Sequence, residues 1–544
     1  MKQILTIILF LPLSLIAKDK ITVDLIIKNA KIFSADINWS NYEAIAIKGG
    51  VIVALGKDKT ILEEYTSTNI IDANEKTIFP GFIDAHCHFS GYALDKYKCN
   101  LFECKSEGEL IERVSAYEKT NKLTWIYGRG WDQNLWTVKE FPTKEKLDQL
   151  FPNKPVILKR VDGHAILCNQ KALDLAKINE HTQISGGQII KKDGKLTGIL
   201  IDNAMDVVEK IIPTLPKTTQ IKYLQETEKE FYENGVTAFM DCGVKKDMIE
   251  LEKELYNKKM LSIGNVILLN EDTNTIRKYL LDGPQNYGQL KITGIKMYAD
   301  GALGSRGACL LQPYTDDPKN YGTMLTTKEH MKYIAGLAYR HGWQLCTHAI
   351  GDSANRVVLQ VYAEVLQGTN ERRWRIEHAQ VVNPSDLHYF KEYSIIPSVQ
   401  PTHYISDRSW AVERLGKNRF DSSAYIYDQL YKQNNIIAFG TDFPVEKLDP
   451  LATIAAAKLI DPTDTTAVKN KPKYVFDVPP MIRATTIWAA KSMMMGQDKG
   501  SLEIGKDADL VILDKNILTI PRKEITTTKV LYTIVKGKIK YKVK

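Results

Sequence analysis

Residues 86 and 88 are both histidine, in the run GFIDAHCHFSGYA from Gly81 to Ala93, and the 544-residue chain has only ten histidines. Successive side chains on a β-strand alternate between faces, so His86 and His88 share one face and Cys87 takes the other. The preceding TIFPGFID is apolar and punctuated by Pro80 and Gly81, which suits the approach to a buried strand. Two imidazoles on one face at a strand's end can grip one metal ion. They can equally be two hydrogen-bonded histidines with no shared task.

The elements that would position them are legible further along. Eight apolar, strand-like runs occur in order: 78–88, 236–243, 261–269, 294–301, 343–349, 373–379, 395–401 and 436–444. Stretches of helical period separate most of them, such as QIKYLQETEKEFYENG with its terminal glycine. Eight buried strands with helical crossovers predict an α/β fold, a (β/α)8 TIM-like barrel. An open doubly wound sheet is the rival, but no Gly-x-Gly-x-x-Gly loop follows a strand. Residues 89–235 are too many for one crossover, so an inserted subdomain is expected over about 95–220. Barrel active sites lie at the C-terminal strand ends. Those ends carry His86 and His88, Lys296, His348, His378 and Asp442. Imidazole and carboxylate are the normal ligands of catalytic zinc, so this set points to a centre of one or two divalent metal ions.

The motifs PGFIDAHCH, GRGWDQ, RVDGHAILCN, KMYADGALGSRGA, THAIGD, RIEHAQ, SVQPTH, FGTDFPVEKLDPL and GSLEIGKDADLVILD together resemble the amidohydrolase superfamily of metal-dependent hydrolases. Within it they are similar to the amidohydrolase 3 family, which includes N-substituted formamide deformylases. The resemblance covers nearly all of the chain after its leader. It implies metal ligation by His86, His88, His348, His378 and Asp442. It also implies that Lys296, if carboxylated to a carbamate, bridges two metals; a free ammonium has no lone pair to offer, and the fallback is one metal with Lys296 in a salt bridge. A divalent metal lowers the pKa of bound water to about 7. Asp442 would orient that water, take its proton and pass it to the leaving nitrogen. The resemblance further suggests that Arg160, Asp162 and His164 border the pocket from the insertion; an internal salt bridge with a capping histidine is the other reading. Arg306 and His403 follow the fourth and seventh strands and are candidates to hold a substrate carboxylate or carbonyl. Trp131 is a candidate to line the cleft, or with Trp136 to fill the insertion's core. Asp202 stands where family members often carry glutamate.

Bulk properties narrow the rest. The composition, 44% hydrophobic and 25% charged, is that of a folded globular protein. The formal charge of +8 is scattered, with no basic tract, so nucleic-acid binding is not expected. The opening MKQILTIILFLPLSLIAKDK fits a secretory signal peptide over residues 1–17, too short to span a membrane, and predicts an exported, periplasmic or secreted protein. Seven cysteines without a CxxC pair are neither a disulfide framework nor a zinc ribbon; Cys99 and Cys104 are the closest pair. The β-rich ends, 22–78 and 499–544, are expected to build one small β-sandwich domain, leaving 79–498 for the barrel. The partner expected is a small-molecule substrate, with a homodimer as the one assembly considered. The reaction expected is hydrolysis of a linear or cyclic amide or a formamide. Ester, lactone or deamination chemistry would use the same parts. A degenerate, non-catalytic binding protein is disfavoured because no ligand or base is missing.

Overall fold

The computed structural model describes residues 19–122, 124–457 and 478–544. The leader expected over 1–17 lies outside the described residues. Eight parallel strands form the centre: β1 (Phe82–Cys87), β2 (Val236–Val244), β3 (Gly264–Asn270), β4 (Leu290–Tyr298), β5 (Gln344–Ala349), β6 (Arg375–His378), β7 (Ile396–Val399) and β8 (Ala438–Phe439). They are hydrogen-bonded in that order, and one further strand, Gln285–Tyr287, runs antiparallel on β4. The barrel is the predicted one, and each strand falls within or overlaps one of the eight apolar runs.

The eighth seam closes just beyond β8. The Asp442 N–H donates to the His86 carbonyl at 2.7 Å, and the His88 N–H donates to the Phe443 carbonyl at 2.8 Å. Gly440 makes this closure feasible, because a β-carbon there would stand 2.5 Å from the His86 nitrogen. Crossover helices present apolar stripes to the barrel. The helix Lys217–Glu233 buries Leu224, Thr227, Phe231 and Tyr232 at helical spacing and ends at Gly235, whose φ is +76°.

Between β1 and β2 the chain builds a separate six-stranded sheet, in the order 99–100, 126–131, 156–160, 165–168, 195–202, 187–192. Its two faces carry distinct apolar clusters, one around Trp131 and Leu158, the other around Ile166 and Leu200. The chain's beginning and end also meet. Thr77–Pro80 pairs antiparallel with Leu510–Leu513, joining strands from both termini into one six-stranded sheet. A four-stranded sheet (51–56, 44–48, 25–28, 70–72) shares a core with it, Ile27, Ile45 and Ile47 packing with Ile78, Leu510 and Ile512. Two sheets over one core are the small β-sandwich expected of the termini. All seven cysteines are free thiols, so Cys99 and Cys104 are not bridged.

Candidate active site

His86, His88, Lys296, His348, His378 and Asp442 converge at the C-terminal mouth of the barrel. Asp442 sits at their centre, in the left-handed region at φ 56°. Its Oδ1 lies 3.1 Å from His88 Nε2 and 3.4 Å from His86 Nε2. Its Oδ2 lies 3.7 Å from His403 Nε2. The rings of His86 and His348 each stand 4.7 Å from that of His378. Lys296 Nζ reaches within 3.2 Å of His86 Nε2.

Three imidazoles are oriented alike. His86 gives its Nδ1 to the Glu377 carboxylate, His88 to the Cys242 carbonyl at 3.1 Å, and His378 to the Gln400 side-chain oxygen at 2.7 Å. Each acceptor fixes the tautomer and turns an Nε2 lone pair inward, the usual preparation of a metal ligand. Burial, reinforced by the Lys296 ammonium, pushes His86 down to about 4. Burial also holds His348 and His378 well below the ordinary imidazole range. All three therefore stand neutral, the form that binds metal. Burial opposes ionisation of Asp442, but the close approach of His88 and of the other imidazoles outweighs it and keeps the carboxyl well below its usual range.

This donor set fits a divalent cation. Ligand atoms of His86, His378 and Asp442 lie within 4.8 Å of one another. Asp442 Oδ1 and His348 Nε2 are buried and have no hydrogen-bond partner among the described residues. Buried polar atoms seldom go unpaired, so orphans beside a ligand cluster mark where a cation belongs. Lys296 is fully buried, yet no carboxylate lies within ion-pair distance of it among the described residues. The fallback salt bridge is therefore not formed.

The other sequence candidates divide. Asp162, His164 and His403 line a cavity of about 1500 Å³ over the barrel mouth. His164 donates Nδ1–H to Asp202 at 2.7 Å, and its ring lies 5.0 Å from His348. The shorter Asp202 still makes contact because Gly301 and Gly307 leave room for it; a β-carbon at either would stand within 2.8 Å of its carboxylate. Arg160 borders the cavity, but its guanidinium is taken by Asp132 and Asp162 and by Gln133 at 2.9 Å. That is the internal salt bridge of the second reading. Two candidates are corrected. Arg306 does not line the cavity and pairs with Asp316 at 3.0 Å. Trp131 is wholly buried in the insertion, its Nε1–H donating to the Leu158 carbonyl at 2.7 Å.

Sequence reasoning passed over four supporting residues. Glu377 is wholly buried and held ionised against its burial by Arg375, which donates to it at 2.6 and 2.7 Å, and by His86. Alternation within RIEH, two charges on the inward face of a buried strand, was its signal. Asp84 shares the parity of His86 and His88; it accepts the Thr441 hydroxyl at 2.5 Å and the Thr441 N–H at 3.0 Å, fastening the segment before Asp442. Asp300 accepts N–H groups from Ile350, Gly351 and Cys309, which fixes the turn after His348. Gln400, at the end of β7, orients His378.

Comparison with known proteins agrees with the geometry. The model of a family described as the amidohydrolase family matches residues 69–541. Over 544 residues the chain is 31% identical to protein LONG AFTER FAR-RED 3 of Arabidopsis thaliana, covering 96% of this chain and 92% of that one. It is 24% identical to the N-substituted formamide deformylase of Arthrobacter pascens, with 95% and 98% covered. The crystal structure of an uncharacterized metal-dependent hydrolase from Pyrococcus horikoshii superposes with a TM-score of 0.75 at 27% identity, covering 92% of this chain and 99% of that one. The chain belongs to the amidohydrolase family and is a metal-dependent hydrolase acting on carbon–nitrogen bonds.

Proposed function

We propose that the bond cleaved is a non-peptide amide, a formamide or a cyclic amide, and that the resident metal is zinc. The observation that carries the reading is Asp442: a buried, ionised carboxylate, one oxygen of which has no hydrogen bond among the described residues, ringed by imidazoles at the floor of a large cavity. His86, His88, His348, His378 and Asp442 would hold the metal, with Lys296 as a further ligand once carbamylated. Carbamylation would turn an uncompensated buried cation into an anion, relieving the cost of burying it unpaired. When bound, the metal supplies an acidified water and an electrophile for the carbonyl oxygen.

The protein's own groups do the remainder. An amide nitrogen leaves poorly until protonated. Asp442 takes a proton from the attacking water and returns it to that nitrogen, so the carboxylate ends the cycle as it began. Glu377, Cys242 and Gln400 hold the three imidazoles so that no rotation accompanies the reaction. The insertion supplies part of the cavity wall over the mouth, through Asp162 and His164. Similarity to a formamide deformylase adds weight to formamides within the class. The test is a panel of amides, formamides, imides and lactones assayed with and without metal. Amides, formamides or imides should turn over, and a chelator should abolish the activity; a preference for lactones would overturn the reading. We also propose export. Mass spectrometry of the native protein should find a mature start near Lys18, and an intact Met1 would refute it.

A further inference from the structure

Tyr298 ends β4 two residues beyond Lys296, so the two side chains share the inward face. The ring is well packed: Lys296 Nζ lies 5.0 Å from its centroid and the His348 ring 5.6 Å away. The hydroxyl is different. It borders the cavity and has no hydrogen-bond partner among the described residues. Beside it, near the end of β2, stands Gly243 at φ +81°; a β-carbon there would come within 3.0 Å of the hydroxyl oxygen and 3.8 Å of Asn270 Nδ2. Asn270 ends β3, and its side-chain oxygen accepts the Asp272 N–H at 3.1 Å, which leaves its NH2 group without a partner among the described residues. Three adjacent strand ends thus frame a recess. The bare glycine opens it, and a phenol and an amide donor face it.

We propose that the Tyr298 hydroxyl is a catalytic residue, donating a hydrogen bond to the carbonyl oxygen of the scissile amide. The proposal rests on the reading of the protein as an amide hydrolase. As the nucleophile adds, that oxygen gains negative charge and the O–H···O bond shortens and strengthens. No proton changes hands, and the phenol keeps its hydrogen throughout. A phenol is protonated at neutral pH, so the hydroxyl stands ready as a donor. A group that binds more tightly as charge develops accelerates the step, rather than merely binding substrate.

Tyr298→Phe removes the hydroxyl and keeps the ring, while Tyr298→Leu removes both. The measurements are kcat and KM on the best amide of the panel, inhibition by methylphosphonate as a tetrahedral anion, bound metal, and thermal midpoint. Both variants should lose about 10²-fold in kcat. KM should change much less, methylphosphonate should bind at least about tenfold more weakly, and metal content should stay at the parent's level. A Tyr298→Phe protein with parental kcat and methylphosphonate affinity overturns the proposal, including the case in which only Tyr298→Leu is impaired and the ring alone matters. Were the parent to cleave no amide while Tyr298→Phe still weakened methylphosphonate binding, the amide reading would fall and the anion-binding recess would stand.

Discussion

Among the described residues two lysines are buried almost completely, and they are treated in opposite ways. Lys499, 2% exposed, lies where the terminal strands return to the barrel and meets Asp507 at 2.8 Å and Asp509 at 2.5 Å. Lys296, 0% exposed, lies at the barrel mouth and meets an imidazole nitrogen and the face of a tyrosine. The first charge is neutralised within the fold. The second is left for a group the polypeptide does not supply. The same contrast extends to the neighbouring atoms: the donors and acceptors around Lys499 are matched, whereas those around Lys296 include the orphaned oxygen of Asp442 and the orphaned nitrogens of His348 and His403. Unsatisfied polarity in a buried place costs stability, and here it is concentrated where chemistry is done.

The comparison can be broken most sharply at Asp442. Asp442→Asn preserves shape and one ligand oxygen but removes the base. Turnover should fall at least ~10²-fold, with the fold and most of the metal retained. Steady-state kinetics with metal analysis on the same preparation decide it, and near-parental kcat would move the base to His403 or His164. Next comes Lys296→Ala. If the carbamate holds, elemental analysis should show the loss of one metal equivalent, and short carboxylic acids should restore part of the activity. Parental metal content would instead assign Lys296 a purely electrostatic role.

Lys499 should answer in stability, not turnover. Lys499→Ala strands the buried Asp509 and takes one of two partners from the half-buried Asp507, and breaking a buried pair costs about 3–5 kcal/mol. Denaturant unfolding should show that loss while kcat per folded, metal-loaded enzyme stays unchanged. The smallest effect belongs to Asp407, on the cavity wall, which accepts from Gln380 and Tyr425, each at 2.9 Å. Burial raises its carboxyl to about 7. A folded value above the unfolded one near 4 means that the native state holds the proton more tightly. Stability therefore drops as pH rises between those values. Asp407→Asn should flatten that slope, with its benefit greater at pH 8 than at pH 5, read from thermal midpoints across pH. An unchanged slope would show that Asp407 is already ionised at low pH.

Much of this protein is written locally. Apolar runs of strand length, broken by helical stretches with glycine ends, determine eight barrel strands because burial on both faces demands continuous apolar sequence. Strand alternation determines that His86 and His88 point together. The barrel architecture then determines that residues at strand ends meet, which unites side chains as far apart in sequence as His86 and Asp442. Tertiary structure alone decided which polar group each of them meets. By alternation with Arg375 and Glu377, His378 should face away from the barrel interior. A φ of +72° turns the chain there, and its ring joins the cluster instead. Arg306 looks like a substrate clamp in sequence and Arg160 like a pocket residue or an internal salt bridge, but only folding brings Asp316 and Asp132 beside them to occupy their guanidinium groups. Trp131 lies in a motif, yet its place is decided by the insertion's core. Periodicity is a property of neighbouring residues and survives in the sequence. Pairing of charges depends on contacts between distant segments, and only the folded chain fixes those.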